Sequence, residues 1–200
     1  MIVYRAQLSR TLRQQAPKAV GRQFERRVRQ AVEQAQQMML ADFAAHPVTQ
    51  EIAAGPNSSN MSNTLLGGSP AANLFSFIGF DAGANPVDQI RSYLAQNLRV
   101  NRVRGSGGRQ VSIFFEVKLP SLTEVYNLTP LPWAPGLSWA EGIEKGIPGL
   151  GQYLSRSGAG RSGGGIQAGV TVNGANFRSV PYLSKILKEF VNYLLSSLNT

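Results

Sequence analysis

Two hundred residues, 42% of them apolar, are enough to bury the core of one domain. The chain has no cysteine, which excludes disulfides and thiolate chemistry, and its one histidine, His46, leaves the common zinc sites without ligands. The formal net charge of +9 is unevenly placed: residues 1–30 hold eight basic side chains and one acidic one, residues 91–110 hold five arginines and no acid, and the remainder is slightly acidic.

Two basic zones point to something anionic, either nucleic acid or an acidic protein surface, against the plain alternative of a solvated face. The opening MIVYRAQLSR has no long apolar segment and so does not read as a signal peptide. No run reaches the roughly 20 apolar residues of a membrane span, so no membrane partner is expected. Glycine and proline number 21 and 11, and they cluster, which predicts long loops.

Residues 1–8 read as a short extended or irregular arm, and residues 9–16 are compatible with helix. The clearest period lies over residues 17–45. Apolar side chains recur at Val20, Phe24, Val28, Val32 or Ala31, Ala35, Met39 or Met38, and Phe43, one face of a helix. Such a helix is roughly 40 Å long at about 1.5 Å per residue, and needs something to lie against. Pro17 sits in its first turn or bends a longer helix, and His46-Pro47 ends it, because the residue before proline is pushed out of helical geometry.

Residues 48–53 read as a short helix or loop, and residues 55–70 as an extended loop rich in turn formers. The run NLFSFIGF, residues 73–80, reads as a strand with Gly79 at a bend. Residues 86–98 predict a helix with Pro86 and Asp88 in its first turn and Ile90, Tyr93, Leu94 and Leu98 on its apolar side. Residues 98–103 and 111–117 predict a hairpin around the glycines of residues 105–108. Residues 121–165 read as an extended loop region with several prolines, interrupted by one helical turn over residues 121–126 and a short helix from Trp139. Residues 165–172 read as a strand paired with VSIFFEV, and Asn173-Gly174 as a hairpin turn. Residues 181–198 predict the closing helix, with a wide apolar face from Leu183 to Leu198. The order is that of a single α+β domain over residues 1–200: long helix, loops, a mostly antiparallel sheet, closing helix.

Few residues carry catalytic chemistry. His46, at a helix end before a proline, suits capping or packing, with the helix C-terminus favouring its charged form. Glu141 and Glu144 are three apart on a short helix and read as solvated surface rather than as a metal or acid–base pair. There is neither a G-x-S-x-G elbow nor a P-loop. The expectation is a protein without catalytic residues, metal or cofactor.

The remaining candidates are surfaces. Arg22, Arg26 and Arg29 fall on one helical flank away from the apolar stripe. Arg99, Arg102 and Arg104 alternate with Val100, Asn101 and Val103, which would present arginines on a hairpin to phosphates. Without a zinc finger, RNP-like aromatics or a KH loop, any nucleic-acid contact would be to the backbone and salt-sensitive. Phe75, Phe77 and Phe80, with Trp133 and Trp139, are candidate anchors for another chain, or for packing on the parent core.

The element order resembles that of the neck and tail-completion proteins of long-tailed bacteriophages. The matching pieces are the AVGRQFERRVRQAVEQAQQMMLADF helix, then SNTLLGG, NLFSFIGF, VSIFFEV, WAEGIEKG and VPYLSKIL, in that order. The resemblance implies long N- and C-terminal helices packed on a small curved sheet. It implies a virion protein assembled in the host cytoplasm as a homo-oligomeric ring at the head–tail junction, around a DNA channel. Its neighbours would be portal, adaptor, tail-terminator or tail-tube proteins, with basic residues facing double-stranded DNA or an acidic neighbouring ring. The alternative reading is a non-specific DNA-binding or DNA-packaging accessory module.

Overall fold

A computed structural model describes residues 3–8, 17–66, 73–104, 113–146 and 176–199. The strand expected over residues 165–172 and the turn at Asn173-Gly174 lie outside these residues. The fold is α+β, with a long N-terminal helix, a C-terminal helix and small antiparallel sheets. The chain divides into two compact units. Unit 1 is Met1–Leu40, Tyr93–Ser121 and Leu187–Thr200, and unit 2 is Ala41–Ser92 and Leu122–Ile186.

Unit 1 contains a three-stranded sheet of β1 (Val3–Leu8), β3 (Arg99–Arg104) and β4 (Ile113–Lys118), with β4 in the centre and both neighbours antiparallel to it. The β3–β4 hairpin follows the sequence expectation. The N-terminal arm is a full edge strand, running from Val3 opposite Lys118 to Leu8 opposite Ile113. The first part of α1 (Pro17–Ala45) also belongs to this unit. Its stripe is buried at Val28, Ala31, Val32, Ala35 and Met39, while Met38 is exposed. Full burial of a side chain such as Val or Met contributes about 1.5–3 kcal/mol, so this stripe holds α1 in place far more than helix propensity does. Gln36 Nε2 donates to Ala95 O at 2.7 Å, and the Tyr93 hydroxyl accepts from Ser121 N at 3.0 Å. The end of α4 (Pro86–Gln96) is thereby tied both to α1 and to the chain leaving β4. Phe190 and Leu194, on the C-terminal part of α7 (Leu183–Asn199), complete the buried set with Leu94, Val117 and Leu119.

Unit 2 is built from shorter pieces. α1 ends at Ala45, and His46 caps α2 (Pro47–Ala53): Pro47 takes the first helical position and His46 Nδ1 accepts from Val48 N at 3.3 Å. His46 therefore starts a helix as well as following one. NLFSFIGF is a helix, not a strand. α3 (Leu74–Ile78) is capped by the Asn73 side chain, which accepts from Ser76 N, and is stopped by Gly79 in the left-handed conformation at φ 83°.

The described part of the expected loop over residues 55–70 holds a 3₁₀ turn, Gly55–Asn57, and the two-residue strand β2 (Leu65–Leu66), paired with β7 (Asn176–Phe177). Likewise residues 122–145 are not an extended loop. They form α5 (Leu122–Asn127), the hairpin β5 (Pro130–Leu131) with β6 (Ala134–Ser138), and α6 (Trp139–Lys145). A two-stranded hairpin is all edge, which is how it accommodates Pro130 and Pro135. Thr129 ties hairpin to helices: its Oγ1 donates to Val125 O and lies 2.7 Å from Ser138 Oγ, and Ser138 in turn caps α6 by accepting from Glu141 N.

Candidate functional site

On α1, Arg26 and Arg27 are exposed, and Arg29 is exposed but paired with Glu25 one turn earlier at 3.1 Å. An exposed pair of this spacing contributes about 0.3–0.5 kcal/mol and leaves the guanidinium accessible. Arg22 lies on the same helix, its side chain outside those described. The flank expected from the sequence is therefore present at Arg26 and Arg29.

The three arginines of β3 are not equivalent. Register pairs Arg99 with Lys118, Arg102 with Phe115 and Arg104 with Ile113. Successive strand positions alternate between faces. Arg99 and Asn101 thus share one parity, and Val100, Arg102 and Arg104 the other, with Val100 opposite the buried Val117. Of these three, the described side chains include Arg99 alone. Arg99 is exposed, faces a like charge directly across the ladder, and has Asn101 beside it, opposite Glu116.

The apolar candidates separate cleanly. Phe75, Phe80 and Trp139 are core residues of unit 2, so of the two expected roles they take packing on the parent core and do not anchor another chain. Phe80 packs against Phe75 at 5.4 Å between ring centroids and meets the edge of Trp139 at 5.6 Å and 89°. Such aromatic pairs add about 0.5–1.5 kcal/mol beyond area burial. Phe77 is half-buried, stacked parallel on Phe177 at 5.9 Å. Trp133 is half-buried; its Nε1 donates to Ile78 O at 2.9 Å, which locks the β5–β6 turn onto the end of α3. Among the described residues, the large apolar side chains left exposed are instead Met38, Met61, Leu66, Leu128, Leu137 and Leu195.

Sequence reasoning missed two carboxylates that hold unit 2 together. Glu51, fully buried on α2, accepts from Leu74 N through Oε1 and from Ser62 N through Oε2, both at 2.7 Å. One side chain thus fixes the start of α3 and the turn before β2. Glu144, expected as solvated surface, accepts from Ser184 N at 2.7 Å and from the Tyr126 hydroxyl at 3.2 Å, while Glu141 pairs with Lys145. Burial, and then the Glu144 charge, push the Tyr126 phenol above its ordinary 10.0. Tyr182 is buried against His46 and Phe43, with its hydroxyl 2.7 Å from Thr49 Oγ1, and burial likewise raises its phenol. Neither carboxylate gives a sequence signal for such a role, because the amides they serve lie 11 to 40 residues away.

Among the described residues no group of three His, Cys, Asp or Glu is placed to hold a metal, and no helix is long and apolar enough to cross a membrane. What the units offer is contrast in charge. Unit 1 has fourteen basic and four acidic side chains, net +10; unit 2 has six basic and seven acidic, net −1. The class defined by fold and surface is an α+β protein with a strongly basic unit and a near-neutral one. Comparison with family models, with curated proteins and with solved structures finds no match.

Proposed function

We propose that this chain is a structural virion protein: a ring-forming subunit at the head–tail junction of a long-tailed bacteriophage, joining portal or adaptor to the tail around a DNA channel. The observation that carries the proposal is the element order, a 29-residue N-terminal helix, short elements, an antiparallel sheet and a closing C-terminal helix. The exposed Met38 and Leu195 on the two terminal helices, and Leu128 and Leu137 around the β5–β6 hairpin, support it as surfaces that a neighbouring subunit would cover. In a ring, the same patch meets a different patch on the next copy, so apolar surface on several elements is expected. The exposed arginines of α1 and β3 then serve the channel or an adjoining ring.

Native mass spectrometry and negative-stain microscopy of the purified protein test the assembly. A closed ring of identical subunits is the expected result. A strictly monomeric protein, at concentrations up to those of assembly and in the presence of its own particle components, would defeat it.

A further inference from the structure

Part of the positive charge in unit 1 has no internal use. Arg26 and Arg27 on α1, and Arg99 on β3, are exposed, and none has an acidic partner among the described residues. Arg99 also stands directly across the ladder from Lys118. Like charges so placed repel, and an anion lying over both relieves the repulsion. Magnitude then selects the anion. A surplus of +10 is matched by about 17 Å of duplex, which carries one phosphate charge per roughly 1.7 Å. An acidic protein would need ten surplus carboxylates to match the same total, and unit 2 of a second copy, at −1, does not supply them. Eleven of the fourteen basic side chains in unit 1 are arginine, whose planar fork meets phosphate oxygens two at a time.

We infer that unit 1 binds the phosphate backbone of duplex DNA without reading its bases, through the outer flank of α1 and the Arg99–Lys118 side of the β3–β4 hairpin. This rests on the ring reading only for where the DNA is met. A neck ring that does not bind duplex would end this inference alone, and a duplex-binding chain absent from the neck would end the ring reading alone.

The test is fluorescence anisotropy of the full chain on a labelled duplex of about 30 base pairs, titrated between roughly 50 and 200 mM salt, a range over which neutralising six or more phosphates costs about 10³-fold in affinity. The expected result is binding at low salt, a log–log salt slope of about −5 or steeper, and no preference between unrelated sequences. The variant Arg26→Gln/Arg27→Gln/Arg99→Gln/Lys118→Gln is expected to flatten the slope by roughly 0.9 for each phosphate it no longer neutralises. Arg178→Gln, an exposed unit 2 arginine, serves as the control and leaves it unchanged. Circular dichroism checks the fold. If the fourfold variant does not fold, Arg26→Gln/Arg27→Gln, confined to exposed helix positions, is expected to show about half the effect. Absence of binding at low salt, a wild-type slope in the folded variant, or polyglutamate of equal charge competing as well as duplex would each overturn the inference.

Discussion

The two units use their charged groups in opposite ways. In unit 2, Glu51 and Glu144 are spent inside the fold, each accepting a backbone N–H from a distant segment at 2.7 Å. In unit 1 the charge is mostly arginine, and exposed at Arg26, Arg27 and Arg99. Polar groups that hold a fold are buried and satisfied; among the described residues, every buried side-chain nitrogen or oxygen has a hydrogen-bond partner. Charges left in water contribute little to stability and are available to a partner. Substitutions should therefore damage unit 2 through stability and unit 1 through binding.

The largest expected effect is at Glu51. Glu51→Ala strands two backbone donors and removes charge-assisted bonds, at a cost of about 3 kcal/mol. For a chain of this size that lowers the melting temperature by roughly 6–12 °C, readable by calorimetry. A shift near zero would mean that Glu51 does not hold the turn and α3.

Alkaline pH is next. The folded state keeps the Tyr182 proton to higher pH than the unfolded chain, whose phenol titrates near 10.0, chiefly because the ring is buried. Stability is therefore complete below about pH 10 and falls above it, by at most roughly 1.4 kcal/mol per pH unit for one tyrosine. Denaturant midpoints measured from pH 8 to 11.5 should show this decline, and Tyr182→Phe should flatten it. A wild-type midpoint that stays level to pH 11.5 would contradict the burial of this phenol.

Gly79→Ala is expected to cost about 1 kcal/mol in the same denaturant assay. The added Cβ meets Trp133 Cδ1 at an ordinary 3.5 Å, so the cost lies in the left-handed backbone at φ 83° and not in a clash. The smallest effect belongs to unit 1. Lys118→Gln removes the like charge opposite Arg99 and should stabilise the protein by a few tenths of a kcal/mol at low salt, a gain screened away near 1 M. A loss of more than about 1 kcal/mol from it would erase the contrast between the units.

Much of the fold is legible because its period is clean. The stripe of α1, the first-turn proline of α4, the glycines between β3 and β4 and the apolar face of α7 all give local signals. α3 reads as a strand because Leu74, Phe75, Phe77, Ile78 and Phe80 are apolar at nearly every position, so no period separates helix from strand. The informative residues are its ends, Asn73 and Gly79. β1 reads only as an arm, since its partner β4 lies more than 100 residues on and pairing at that distance leaves no local trace. The prolines of residues 130–135 point to a loop, though a hairpin of edge strands accepts them. The arginine surface is legible in composition and helical spacing, but the split of Arg99 from Arg102 and Arg104 needs the register. Apolar aromatics look alike whether they fill a core or await a partner, which is why Phe75, Phe80 and Trp139 cannot be assigned until their burial is seen.

The most direct measurement is the position of this chain in an intact particle, by cryo-electron microscopy of virions carrying a tagged copy. A ring of tagged subunits between the portal and the tail tube is the expected result. Particles with complete necks and no density or label for this chain would contradict the proposed role at the head–tail junction.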